Sequence, residues 1–487
     1  GEEIVRHLIS QEILWEKDLG VLSFSHQTLQ DCLVVRSTLA KNRTLAEFIL
    51  DHPQLPFIRP AVRAFFFSLR AYDPETFRKQ VWQVLSNDAI AYHVKRLLCE
   101  SIAEIVPVEE DWRLLRRIFQ NHSDLFRRLL NRTEDVVWFN FLRQQWLVWV
   151  HVSENKEDWL HQFCWKLGIW VNHFPKEVIA LWQKAITDQW GNKQNLVQAV
   201  ISGLDKFEAW DTEGVKELLQ TLVEAEDVNT EYSSLGKVLS RWVQAVNSGD
   251  DLLWKYITRN VPSEDKPWQD IKNQLHYKLH EFHQENFLVE RLKQSDEMIA
   301  LALSSIEIWS NDAPIQYRTA DLRIGFLLDT SWRYKHNELE IYPADDLTML
   351  LNSIESAFKR RSCQNDAWWR ANEPHLRSIP DAGLRYLVIE SYKENVQSNL
   401  LGIESQLQDQ ELLNSSDLEY VLGELMQIAY PYISEKSMIA NQSMVLSLYD
   451  ESFTDTDKAN LTHRYIWCNR KIYDLLIWIP SIFRMPE

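Results

Sequence analysis

Three histidines, His276, His280 and His283, fall at i, i+4 and i+7, a spacing that puts several imidazoles on one helical face, where they could meet a metal ion. Position 277 is Tyr rather than the Glu that a zinc-protease helix needs, and no cysteine lies near. The run therefore reads as a solvated polar face. Arg113, Arg116, Arg117, Arg127, Arg128 and Arg132 form the other concentration of chemistry. Guanidinium groups gathered in this way can hold a phosphate or an acidic partner. Glu109, Glu110, Asp111, Asp124, Glu134 and Asp135 interleave with them, enough acid for mutual pairing on an exposed surface. The second reading carries more weight, and the first keeps Arg113, Arg116, Arg117, Arg127 and Arg128 as candidate partner-binding residues. No G-x-x-x-x-G-K phosphate loop and no G-x-S-x-G elbow occurs. Adjacent acids such as Asp345 and Asp346 point differently on a helix and form no acid/base dyad. The chain is expected to have no catalytic site and to bind no nucleotide or other cofactor by itself.

The 21 tryptophans are unusual, and eight of them crowd between Trp138 and Trp190. Each ring brings a large apolar surface and an N–H that needs an acceptor. Their helical spacing predicts that most fill a core between helices, although aromatic anchors also dominate recognition surfaces. Trp368 and Trp369 are neighbours on one helix and cannot both face one core, so one of them is the preferred exposed partner-binding anchor.

The frame for these residues follows from the totals. A chain of 487 residues exceeds one core. With 12 glycines and 15 prolines it has little material for hairpins or phosphate-cradling loops, and helix is the simpler reading. A net charge of −18 repels nucleic acid and anionic membrane, so neither is expected as a partner without a local basic patch. The five cysteines, Cys32, Cys99, Cys164, Cys363 and Cys468, are widely spaced and mostly among apolar residues. They predict reduced, buried thiols and a cytoplasmic setting. No stretch approaches about 20 apolar residues, and no signal peptide is recognisable.

Along the chain, Ile4, Val5, Leu8, Ile9, Ile13 and Leu14 recur at helical spacing and predict a helix over 2–14, with a turn at 17–20. A short strand follows at 21–24, and Ser25 is placed to cap a helix faced by Leu29, Leu33, Val34 and Leu39. Pro60 and Pro74 stand where first-turn prolines belong. Helix starts are predicted near 156, 175, 193, 212 and 233, which sets alternate helices one αα-hairpin period apart. The expected fold class is all-α, an αα-hairpin (HEAT-like) solenoid preceded by a partial winged-helix module. Its expected divisions are 1–44 for the end of the winged helix, 45–250 for the repeat array and 251–487 for a second helical region. A cluster of Gly, Pro, Ser and Asp over 248–268 suggests the break. Further helices are predicted over 268–292, 296–309, 347–358, 382–401, 416–429 and 460–479. A less regular insert near 311–346 holds a short hairpin around Phe326 and Ile341. The start at Gly1 in a helical pattern suggests a segment of a longer protein.

Phe24-Ser25-His26-Gln27-Thr28-Leu29-Gln30-Asp31 resembles the end of the winged-helix domain of NACHT-type signal-transduction NTPases of the STAND class. There Phe, any residue and His precede a helix carrying Gln and an acid. Phe24, His26, Gln30 and Asp31 match, and Cys32 departs from the usual aromatic. Leu8-Ile9-Ser10-Gln11-Glu12-Ile13-Leu14 resembles that domain's penultimate helix. The resemblance covers about 35 residues of the sequence. It implies that His26 contacts the diphosphate of ADP held by an upstream NTPase core. It also implies a helical sensor in a bacterial antiviral defence protein that binds a foreign protein, such as a phage component, and homo-oligomerises on activation. Without the resemblance, His26 reads as a capping or core-edge histidine packed on Trp15, and the chain as a free-standing helical-repeat adaptor.

Overall fold

A computed structural model of the protein describes residues 2–18, 21–225, 235–259, 261, 287–311, 318–319, 322–324, 346–415, 417–448 and 463–484. It is 74% helix and 3% strand, which makes the class all-α. Two compact units, Gly1–Gly214 and Val215–Glu487, divide the chain.

The first unit opens with α1 (Glu2–Ser10), β1 (Leu14–Asp18), β2 (Val21–Phe24) and α2 (Gln27–Ala40). The strands pair antiparallel with Leu14 opposite Phe24 and Trp15 opposite Ser23. The helix predicted to reach Leu14 thus stops at Ser10. Glu12 takes the left-handed conformation at φ 55°, and the N–H of Ile13 reaches back to the carbonyl of Leu8. That closure is usually marked by Gly, and here a Glu supplies it. Asn42, Gln189, Asn247 and Asn365 share the positive φ just past the ends of other helices. Ser25 does not cap α2: its hydroxyl donates to the carbonyl of Ile13, and His26 occupies the cap position.

The unit continues through α3 (Leu45–Leu50), α4 (Arg59–Tyr72), α5 (Pro74–Leu85), α6 (Tyr92–Ile102), α7 (Trp112–Asn121) and α8 (Ser123–Arg132). Pro60 and Pro74 lie in first turns, and Asp73 caps α5 by accepting from the N–H of Thr76. Then come α9 (Val136–Phe141) and α10 (Leu147–Val150), joined by a π-helical turn over Leu142–Trp146. The last are α11 (Lys156–Trp170), α12 (Pro175–Thr187) and α13 (Lys193–Leu204), which begin at the predicted positions. Contacts join next-but-one helices: α2 with α4, α4 with α6, α6 with α8, α3 with α5, and α11 with α13. Such pairs hide apolar stripes that a single helix leaves in water.

Hydrogen bonds repeat at the same interval. The indole of Trp138 donates to the carbonyl of Ala103, Lys166 Nζ to that of Asn131, and the indole of Trp170 to that of Glu134, at separations of 35, 35 and 36 residues. Each acceptor lies in or just beyond the last turn of an earlier helix, where carbonyls lack intrahelical partners. Gly168 and Gly203, also 35 positions apart, face one another where α11 meets α13. A Cβ on Gly203 would stand 2.5 Å from two ring carbons of buried Trp182, and one on Gly168 would stand 3.0 Å from the Gly203 Cα.

The second unit holds α14 (Val215–Glu224), α15 (Leu235–Val246) and α16 (Asp250–Ile257), followed by α17 (Phe287–Gln294) and α18 (Asp296–Asn311). Arg291 makes a buried two-point contact with Asp250, at 2.7 and 2.9 Å, and pins α17 to α16. Strands β3 (Arg318–Thr319) and β4 (Leu322–Arg323) pair antiparallel. The hairpin expected around Phe326 and Ile341 lies outside the described residues, as do most of the helix expected over 268–292 and the three histidines His276, His280 and His283.

Next are α19 (Asp346–Gln364), α20 (Ala367–Leu376), α21 (Ala382–Tyr392), α22 (Leu400–Leu407), α23 (Gln410–Asn414), α24 (Glu419–Ala429), α25 (Glu435–Leu446) and α26 (His463–Leu476). The helix predicted over 382–401 breaks after Tyr392, where the Asn395 side chain takes up the carbonyl of Cys363 and caps the turn to Ser398. A ladder of half-buried charges crosses α19, α21 and α24: Lys359 meets Glu355 and Glu390, and Lys393 meets Glu390 and Glu424. The thiols of Cys99 and Cys164 are buried as predicted, whereas Cys32 and Cys363 are exposed because each lies on the outer side of its helix.

Candidate functional site

His26 stands exposed between β2 and α2, with extended backbone at φ −124° and ψ 120°. Its carbonyl accepts the N–H groups of Leu29 and Gln30, which starts α2, and its imidazole makes no cap bond. Among the described residues no ring contact joins it to Trp15, which is itself exposed. The imidazole is therefore presented to solvent beside a helix N-terminus, where backbone dipoles favour an anion.

The arginine run is divided by the fold. α7 buries Leu114, Leu115, Ile118 and Phe119 and turns Arg113, Arg116 and Arg117 outward. α8 buries Leu125, Phe126, Leu129 and Leu130 and turns Arg127 and Arg128 outward. Arg113 and Arg117 line a surface pocket of about 530 Å3 between α5 and α7, with Arg78, Lys79, Trp82 and Trp112. Arg127 and Arg128 line a second pocket of about 400 Å3 with Tyr92, Ser123, Asp124 and Asn131. Arg116 and Arg132 are exposed on the same two helices.

The interleaved acids do not neutralise these arginines. Asp111 is buried and turned inward, held by Arg70 at 2.7 Å and Arg78 at 3.3 Å. Beside the Asp124 carboxylate the Tyr92 phenol is held above its ordinary range, with Arg128 opposing the shift. Among the described residues, Arg113, Arg116, Arg117, Arg127 and Arg132 form no ion pair. Two of them rest on indoles instead: Arg117 lies 5.7 Å from the Trp82 ring centre and Arg127 lies 5.2 Å from that of Trp159. A guanidinium stacked by its face keeps its N–H edges for acceptors.

Trp82 and Trp112 did not stand out in the sequence. The signal was present in the repeat interval, since Arg78 and Arg113, and likewise Trp82 and Arg117, are 35 positions apart.

Of the eight clustered tryptophans, seven are buried and Trp165 is 43% exposed. They are core, as their spacing predicts. Trp369 is also core, 1% exposed, with its indole N–H bonded to Asn399 at 2.8 Å. That excludes Trp369 as an exposed anchor. Trp368 is half-buried beneath Arg361, whose guanidinium lies 4.7 Å from its ring centre.

Among the described residues no group of His, Cys, Asp and Glu is arranged to hold a metal ion, and no helix is long and apolar enough to cross a membrane. Comparison with family models, with curated proteins and with solved structures finds no match to the chain.

Proposed function

We propose that this chain is the sensor and scaffold segment of a STAND/NACHT-like ATPase, one that binds a foreign protein and relays the event to an upstream nucleotide-binding core. The observation that carries the reading is the helix–hairpin–helix order of α1, β1, β2 and α2 with His26 exposed at the head of α2. The family to which the motif is similar places its histidine there to touch the ADP diphosphate. A run of helices packed next-but-one supports the sensor half of the proposal, because stacked helical repeats present extended surfaces to protein ligands. In this reading the array is a HEAT-like solenoid, the N-terminal elements close a winged helix, and the protein works in the cytoplasm in defence against phage. Binding of the foreign protein favours an open arrangement over the ADP-locked one, and oligomerisation follows.

The test uses the full-length polypeptide with its nucleotide core. His26→Ala is expected to release ADP about tenfold or more faster than wild type, the loss appropriate to one hydrogen bond to a charged phosphate. Full-length protein that carries no nucleotide, or a variant that holds ADP as tightly as wild type, refutes the reading and favours a free-standing helical adaptor.

A further inference from the structure

The pocket between α5 and α7 has a chemistry of its own. Arg113 and Arg117 are one turn apart on α7 and carry charges that no acid of the described residues pairs. Arg117 is held in place by stacking on Trp82. The indole N–H groups of Trp82 and Trp112 also meet no acceptor among the described residues, and both rings are half-buried in the pocket wall. The pocket thus offers two unpaired guanidiniums and two aromatic faces, alongside the carboxylates of Glu75, Glu109 and Glu110. The floor is fixed, because buried Asp111 ties Arg78 to Arg70 on α4.

We propose that this pocket binds an acidic peptide segment that also carries an aromatic or aliphatic side chain. Arg113 and Arg117 take the carboxylates through their planar forks, and the side chain lies against Trp82 and Trp112. The inference names the kind of protein partner for the function proposed above and rests on that reading for its biological meaning. A nucleic acid fits less well. Its backbone needs a continuous basic track, which the carboxylates of Glu75, Glu109 and Glu110 interrupt here, whereas a short peptide can set its few acids opposite Arg113 and Arg117 alone. Two isolated forks beside two rings match a short carboxylate-bearing stretch.

The probe is a fluorescein-labelled random copolymer of Glu and Tyr, read by fluorescence anisotropy against the whole chain at physiological salt. The wild type is expected to bind it. Arg113→Glu with Arg117→Glu is expected to weaken binding about a hundredfold, roughly tenfold for each charge-assisted contact. Arg116→Glu reverses one charge on the same helix, half the change of the double variant and outside the pocket, and is expected to change binding by less than about threefold, the scale of an exposed and screened charge. Circular dichroism checks folding, and Arg113→Gln with Arg117→Gln provides a milder second variant. The proposal is overturned if the copolymer does not bind, if both double variants bind it undiminished, if Arg116→Glu loses as much as they do, or if a single-stranded oligodeoxynucleotide binds more tightly. ADP retention by the full-length protein does not enter this measurement, so failure here and failure of the His26 test are separate results.

Discussion

Replacing Gly203 with Ala tests the packing of α11 on α13 with a single methyl group. In an isolated helix the change would help by about 1 kcal/mol, because Gly is a poor helix former. Here the added carbon stands 2.5 Å from Cη2 and Cζ2 of Trp182, whereas carbon atoms rest at about 3.5–4.0 Å. The ring must retreat by roughly 1 Å. It is fully buried, and its Nε1 donates to the carbonyl of Cys164 at 3.1 Å, so retreat strains that bond as well. Overpacking typically costs about 1–3 kcal/mol, and a rigid ring with a strained bond belongs at the upper end. The net expectation is a loss of about 2 kcal/mol, or a fall of about 30-fold in amide-exchange protection along α11 and α13. Trp182→Phe removes the two ring carbons that clash. In that background Gly203→Ala is expected to be neutral or to stabilise by up to about 1 kcal/mol, giving a coupling of about 2–3 kcal/mol. Hydrogen exchange read by mass spectrometry on the four proteins of the cycle measures this. Simple addition of the two effects, or higher protection in Gly203→Ala alone, refutes the argument.

Two further outcomes follow from buried groups. Burial pushes the Lys166 ammonium down to about 8, with the carboxylate of Glu134 opposing the shift. The unfolded chain keeps its lysine charged to about pH 10.4. Below about pH 8 both states are charged and the full desolvation cost opposes folding. Between about 8 and 10 the unfolded chain holds the extra proton, so stability rises with pH. The melting temperature of wild type relative to Lys166→Met is therefore expected to climb across that window, and parallel curves would contradict the assignment. For the thiols, burial raises Cys164 to about 12 and Cys99 further still, while Cys32 and Cys363 are exposed. Iodoacetamide is expected to label Cys32 and Cys363 in the folded protein and Cys99 and Cys164 only after denaturation, as peptide mapping would report.

The helices of the first unit were legible because apolar stripes at 3.6-residue spacing, first-turn prolines and scarce glycine all point the same way. What escaped was their punctuation. Glu12 and Gln189 close helices in a conformation usually marked by Gly, so residue type gave no warning at either place. The strand from Leu14 to Asp18 was hidden for a related reason, since its apolar residues continued the helical period of α1. At the candidate site, the arginines were visible, but the fate of the acids among them was not. Asp111 follows two glutamates in the sequence, and only its partners on α4 and α5, 41 and 33 residues earlier, turn it inward. Trp368 and Trp369 show both limits: helical geometry required them to differ, and the acceptor that the inner indole finds, the Asn399 side chain, lies 30 residues further on.

Asp111 has a mechanical consequence. One carboxylate grips guanidiniums from two helices and also accepts the N–H of Val108, so α4, α5 and the turn leading into α7 share a single fastening. α4 in turn lies along α2, the helix headed by His26. In the proposed reading, an occupant that shifted the wall formed by α7 would pull on a rod packed against that helix, as a latch lifted at one hinge moves the bolt at the other.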